Sequence, residues 1–183
     1  MVSHAEPELA NALKILVKQL PLDKITIESL ADLAHVNRNT FYYHFDDIYD
    51  LLKWTLEHDI IMQLQCDLTA QNWSEKYEIA LSYVATNKQL CLEALHSQKH
   101  DLLEKFLFEL GSQMVQSVML TIDNAKSSPI AEDLIDFYGS AIAAQIIKWL
   151  ITDCKTPQNR LVTRAHLILN GAIEFITSKH IAE

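Results

Sequence analysis

Glycine and proline are scarce, with three and four in 183 residues. Strands need frequent turn-makers, so a chain that is 49% hydrophobic and so poor in them points to long helices joined by short loops. The three cysteines, Cys66, Cys91 and Cys154, are odd in number, widely spaced and without a CxxC pair. They read as buried free thiols in a reducing compartment, with a redox sensor as the alternative. No continuous apolar run reaches about 18 residues, and Glu6 and Glu8 stand where a signal segment would be basic and then apolar. The expected location is therefore the cytoplasm.

Catalytic patterns are missing too. There is no G-x-S-x-G, Gly-rich phosphate loop, HExxH or convincing nucleophile–base pair, so neither an enzyme nor a bound cofactor is expected. His96 and His100 have metal-ligand spacing but no third ligand at motif distance, so no metal site is expected. Positive charge is also short. The net charge of −9 speaks against nucleic-acid binding unless the charge is unevenly distributed.

What is present begins with an amphipathic helix from Glu8 to Leu20, which Pro21 stops. Thr26 is placed to cap a second helix with Ile27, Leu30, Ala31 and Ala34 on its buried side. His35 and Val36 make a corner, and Asn37 is a good cap for a third helix. Along Asn37-Arg38-Asn39-Thr40-Phe41-Tyr42-Tyr43-His44-Phe45, the two phenylalanines lie one turn apart and share a face. Arg38, Asn39, Tyr42 and Tyr43 spread over the remaining surface. Two short helices around a tight corner are the outline of a helix-turn-helix, in which the second helix enters the major groove of DNA. Generic helical hairpins share that outline.

The stretch TIESLADLAHVNRNTFYYHFDDIYDLL resembles the N-terminal DNA-binding domain of the TetR/AcrR family of transcriptional regulators. The likeness runs from the first helix through Leu52. Within that family, the NRxTFYYHF form and the short helical remainder look most like the subgroup related to dihydroxyacetone-operon regulators. The resemblance implies an all-α homodimer, with a three-helix DNA-binding domain at 1–47 and an effector-binding and dimerisation domain at 48–183. Carried over by motif position, it places Arg38 and Asn39 at base edges, Thr40, Tyr43 and His44 at phosphates, Tyr42 at either, and the backbone N–H of Thr26 at another phosphate. The chemistry suits those roles, because Arg grips guanine and Asn grips adenine in bidentate pairs, while hydroxyl and imidazole groups suit phosphate oxygens.

One departure from the family matters. Where many members carry a lysine-containing segment after the His-Phe pair, this chain has Asp46, Asp47 and Ile48. Up to Asp50 there are eight acidic residues against Lys14, Lys18, Lys24 and Arg38, so uneven distribution does not rescue the charge of this half. Asp47 is nevertheless a candidate cap for a fourth helix, from about Ile48 to Gln65, with Leu51, Leu52, Thr55, Leu56 and Ile60 inward.

The remainder reads as further helices, about 75–86, 90–96, 101–122, 129–152 and 156–179, with 124–128 as the clearest loop. Small residues on the last two, among them Gly139, Ala143, Ala165, Gly171 and Ala172, allow close approach and a four-helix interface between two copies, which the resemblance also implies; packing within one chain is the alternative. Tyr83, Phe106, Tyr138, Gln145, Trp149 and His166 are the residue types that line a mixed pocket for an effector, although core packing explains such residues equally well. The expected function is a ligand-responsive repressor acting on operator DNA. The alternatives are an activator controlled by a kinase-like protein partner, and a helical adaptor that has lost DNA binding.

Overall fold

A computed structural model describes residues 5–64, 73–120 and 129–180. Every regular element among them is helical: α1 (Ala5–Leu16), a 3-10 turn (Leu22–Lys24), α2 (Ile27–Leu33), α3 (Arg38–His44), α4 (Ile48–Leu64), α5 (Trp73–Thr86), α6 (Lys88–His96), α7 (Asp101–Met119), α8 (Ala131–Ile151) and α9 (Gln158–His180). The fold is all-α, as the scarcity of turn-makers requires. Cys66 and the 124–128 loop lie outside the described residues. Cys91 is buried and Cys154 half-buried, both as thiols.

The chain forms two compact units. The first joins Met1–Met62 to Asn87–Leu103, and the second joins Gln63–Thr86 to Glu104–Glu183. A division at 47/48 puts α4 and α6 on the other side, whereas in space both belong with the first three helices. Leu22 N–H donates to Glu93 of α6 at 3.1 Å, and Gln98 N–H donates to Asp23 at 3.4 Å. These are partners 71 and 75 residues apart in the chain, a separation at which local periodicity carries no information.

Within the first unit, α1, α2 and α3 pack on one another around the buried Leu9, Leu13, Leu30 and Phe41. α1 starts at Ala5 and ends at Leu16, earlier than Pro21 requires, and residues 17–20 form a turn. All five inward positions expected for α4, Leu51, Leu52, Thr55, Leu56 and Ile60, are buried. The Thr55 hydroxyl is satisfied by donating to Leu51 O at 2.7 Å, so a polar residue sits in that core without an unmade hydrogen bond.

In the second unit α5 packs on α9 and α8, and α8 on α9. α8 is long and apolar enough to cross a membrane by length and composition alone. Its Leu134, Ile142, Ile146, Trp149 and Leu150 are buried inside this unit. α7 and α8 meet at two glycines: a Cβ on Gly111 would stand 2.7 Å from Gly139 O, and one on Gly139 would stand 2.5 Å from Ser112 Oγ. Only glycine allows backbones that close.

Candidate nucleic-acid interface

The short helix α3 is defined at both ends. Asn37 Oδ1 accepts from Thr40 N–H at 2.8 Å and from the Thr40 hydroxyl at 3.1 Å, which starts the helix by side-chain capping. The preceding corner is a Schellman-type stop to α2: His35 takes a left-handed φ of 55° and Val36 N–H reaches back to Ala31 O at 2.9 Å. α2 itself begins with a capping box, Thr26 accepting from Ser29 N–H at 3.1 Å and Ser29 Oγ accepting from Thr26 N–H at 3.2 Å.

Phe41 and Phe45 are buried with ring centroids 5.8 Å apart, and Phe45 meets Trp54 of α4 edge-to-face at 5.9 Å. This aromatic clamp decides which way α3 faces. Tyr43 is 83% exposed and Tyr42 51%, and Arg38 and Asn39 are exposed beside them. At i and i+4, Arg38 pairs with Tyr42 and Asn39 with Tyr43, so the four form one outward stripe. A large phenol exposed to that extent is not explained by core packing.

The other expected DNA-facing residues are engaged within the chain. Asn37 and Thr40 are bonded to each other, which makes Asn37 a helix cap; Thr40 is half-buried. The Thr26 N–H donates to Ser29 Oγ at 3.2 Å. His44 has a side chain only 11% exposed, with Nδ1 3.4 Å from Glu6 of α1; it ties α3 to α1. For Thr26, Asn37 and Thr40 the cause is local, because helix ends satisfy their own polar groups with nearby side chains, whereas His44 meets a side chain of another helix.

Asp47 caps α4, as expected, by accepting from Asp50 N–H at 2.8 Å. Burial pushes its carboxyl up, but the hydrogen bonds from Asp50 and Lys99 and the charge of Lys99 outweigh that, leaving it below the usual carboxylate range. Lys99 lies 3.3 Å from Asp47 and over the Tyr49 ring at 5.1 Å. The Tyr49 hydroxyl donates to Asp23 at 2.7 Å. Burial, that hydrogen bond and the two carboxylates push the Tyr49 hydroxyl up to about 12. Lys99 and Glu93 were not legible as parts of this unit, because no motif spacing links them to α3.

The six residues expected to line an effector pocket differ in burial. Tyr83 and Trp149 are buried, and the Trp149 indole N–H donates to Thr156 O at 2.8 Å, pinning the turn after α8. His166 is exposed on one side and stacks on Trp73, centroids 5.7 Å apart and 8° from parallel. Gln145 is exposed, and Phe106 and Tyr138 are half-buried. An open apolar groove of about 470 Å³ lies along Phe108, Ala143, Ala144, Ile147 and Ile151, with Glu104, Ser140 and Lys148 at its polar positions.

Of the small residues proposed for contact between copies, Gly139 is buried against Ser112 of the same chain, an intramolecular role. Ala143 and Ala165 are also buried. Gly171 is exposed with nothing within 4 Å of an added Cβ, and Ala172 is half-buried.

A helix-turn-helix with an outward polar-aromatic face, joined to a chain that continues as a second helical unit, defines a class of transcription regulators. Residues 71–171 match the family profile described as "Transcriptional regulator C-terminal region", more than half of the chain. The chain belongs to the TetR family of transcriptional regulators. It is similar to the HTH-type dhaKLM operon transcriptional activator DhaS of Lactococcus lactis subsp. lactis (strain IL1403), at 25% identity over 80 residues. That match covers 44% of this chain and 43% of the relative, less than half of its length. A solved structure, the dihydroxyacetone kinase operon activator DhaS, superposes with a TM-score of 0.75 over 94% of this chain and 97% of that one, at 18% identity. At that identity the superposition establishes the fold.

Proposed function

We propose that this regulator binds operator DNA sequence-specifically as a cytoplasmic homodimer, with α3 in the major groove and the second helical unit serving effector response and dimerisation. The observation that carries this reading is the outward stripe of Arg38, Asn39, Tyr42 and Tyr43 on a helix clamped by Phe41 and Phe45. Arg38 and Asn39 supply the bidentate donors and acceptors that base edges need, and the tyrosine hydroxyls suit phosphates. Two heads related by a two-fold axis read half-sites about 34 Å apart, or a multiple of that.

The acidic setting shapes the affinity. Lys14 pairs with Asp59, Lys53 with Glu57 and Lys99 with Asp47, so several cations of this unit are already neutralised. A shallow salt dependence follows, because each neutralised phosphate adds only about −0.9 to the log–log slope. The test is a mobility shift with DNA from just upstream of the protein's own coding region, titrated with salt. A salt-sensitive shift with a slope shallower than about −6 is expected. Absence of any shift at low ionic strength sinks the reading and leaves the helical adaptor.

Repression by a bound small molecule's release or capture is the sign of control expected from sequence. Both named relatives are called activators, and this supports activation as a second reading, of which control by a protein partner is the form expected from sequence. A reporter fused to the shifted DNA separates the two: deletion of the regulator raises expression if it represses and lowers it if it activates.

A further inference from the structure

The groove between α7 and α8 has an internal order that the crossing of the two helices explains. Gly111 of α7 meets Gly139 and Ile142 of α8, while Glu104 and Phe108 share the groove with residues 140–151. Residue numbers fall along α7 as they rise along α8, so the helices run antiparallel. With an equal rise per residue on both, Phe108 comes level with Ala143 and Ala144, and Glu104 with Ile147 and Lys148.

The groove holds about 470 Å³, within the size range of small-molecule sites. Phe108, Ala144, Ile147 and Ile151 make it apolar, and Ile151 is 57% exposed. Glu104 and Lys148 stand exposed on opposite walls. They make no ion pair with each other, and neither side chain has a hydrogen-bond or ion-pair partner among the described residues. At the inner end Ser140 lines the groove. The Ser112 hydroxyl, one helical turn on from Phe108 and against Gly139, is buried with no partner among the described residues.

We infer that this groove binds a free amino acid with a large apolar side chain, its ammonium group at Glu104, its carboxylate at Lys148 and its side chain along Phe108 and Ala144. The inference rests on the effector-response reading above and names the chemistry of the effector. One acid and one base on facing walls match a zwitterion. An apolar anion or cation leaves one of the two charges unpaired and partly desolvated. From Glu104 to Ser112 is about 12 Å along α7 at 1.5 Å per residue. The polar inner end therefore bounds the apolar stretch to the length of one side chain and excludes a long acyl chain.

Isothermal titration calorimetry on the full chain tests this with L-phenylalanine and L-leucine. Phenethylamine, which lacks the carboxylate, and 3-phenylpropionate, which lacks the ammonium group, are the comparisons. L-phenylalanine is expected to bind about tenfold tighter than either of them. Glu104→Gln is expected to erase its advantage over 3-phenylpropionate, and Lys148→Gln its advantage over phenethylamine. A folding defect weakens all the ligands alike and does not mimic that exchange. Ala144→Trp, at an exposed position, fills the groove and is expected to abolish binding, with thermal melts to show an intact fold. No binding of either amino acid overturns the inference. So does equal binding of a comparison compound, or binding that Ala144→Trp leaves intact. A wild-type dimer that Ala144→Trp converts to a monomer on gel filtration places a second copy in the groove and overturns it as well. The operator mobility shift is scored separately. An intact shift without amino-acid binding defeats this inference alone, whereas binding without any shift defeats the regulator reading.

Discussion

Lys99 lies 3.3 Å from Asp47, across 52 residues of chain, and that carboxylate is also the cap of α4. The two roles separate by substitution. Asp47→Ala removes cap and ion pair and is expected to lower unfolding free energy by about 1 kcal/mol, whereas Lys99→Gln removes an exposed pair and changes it by about 0–1 kcal/mol. The Asp47 carboxyl is held below its ordinary value, so its contribution is present above the unfolded carboxylate pKa and is lost as pH falls through the folded one. Urea melts at pH 7 and between pH 4 and 2 check both points; an Asp47→Ala protein as stable as wild type, with the same acid limb, defeats the assignment.

On α3, neighbouring aromatic residues are expected to behave oppositely. Phe41→Ala empties a fully buried site and lowers stability by about 3–5 kcal/mol. Tyr43→Ala alters a side chain 83% exposed; stability stays within about 0.5 kcal/mol while operator affinity falls. Arg38→Ala relaxes preference at one base position at a loss of about 1–3 kcal/mol. Binding-site selection by sequencing reads the last effect, and equal loss on all DNA sequences means that Arg38 grips phosphate instead.

The three glycines divide by what surrounds them. Gly111→Ala drives a Cβ toward the Gly139 carbonyl and Gly139→Ala toward Ser112, and each is expected to destabilise by about 1–3 kcal/mol through overpacking. Gly171→Ala meets nothing within 4 Å and gains about 0.5–1 kcal/mol of helix propensity in the isolated chain. Thermal melts of the three variants should rank in that order, and a destabilised Gly171→Ala monomer contradicts the open surface.

Burial pushes the Tyr77 hydroxyl up to about 12, and it has no hydrogen-bond partner among the described residues. A raised folded-state pKa means that the unfolded chain loses the proton first. Stability therefore stays level up to about pH 10 and falls as pH rises toward about 12. Tyr77→Phe is expected to flatten part of that decline, Tyr49 accounting for another part. At pH 7 it should leave the melting temperature unchanged or higher, since an unpaired buried hydroxyl is removed. A lower melting temperature shows that the hydroxyl is bonded in solution.

Most of the helical framework was legible in the residues. Thr26, Asn37 and Asp47 announce helix starts because capping is a local reaction between a side chain and backbone three residues on, and all three act as caps. The α4 core positions were equally readable, since helical period alone puts Leu51, Thr55 and Leu56 on one face. Harder to read were polar residues with two possible partners. Thr26, Asn37 and His44 carry groups suited to phosphate, yet each is engaged by Ser29, Thr40 or Glu6. Small residues posed the same difficulty, because Gly139 and Gly171 are identical in composition and opposite in setting.

By itself the sequence determined an all-helical chain with a capped, aromatic-clamped α3, because period, propensity and capping operate over a few residues. Tertiary structure alone decided that Lys99, Gln98 and Glu93 join the first unit and that α7 and α8 use up Gly139. Those outcomes depend on which distant segments pack together, and long-range contacts leave no period in the chain that makes them.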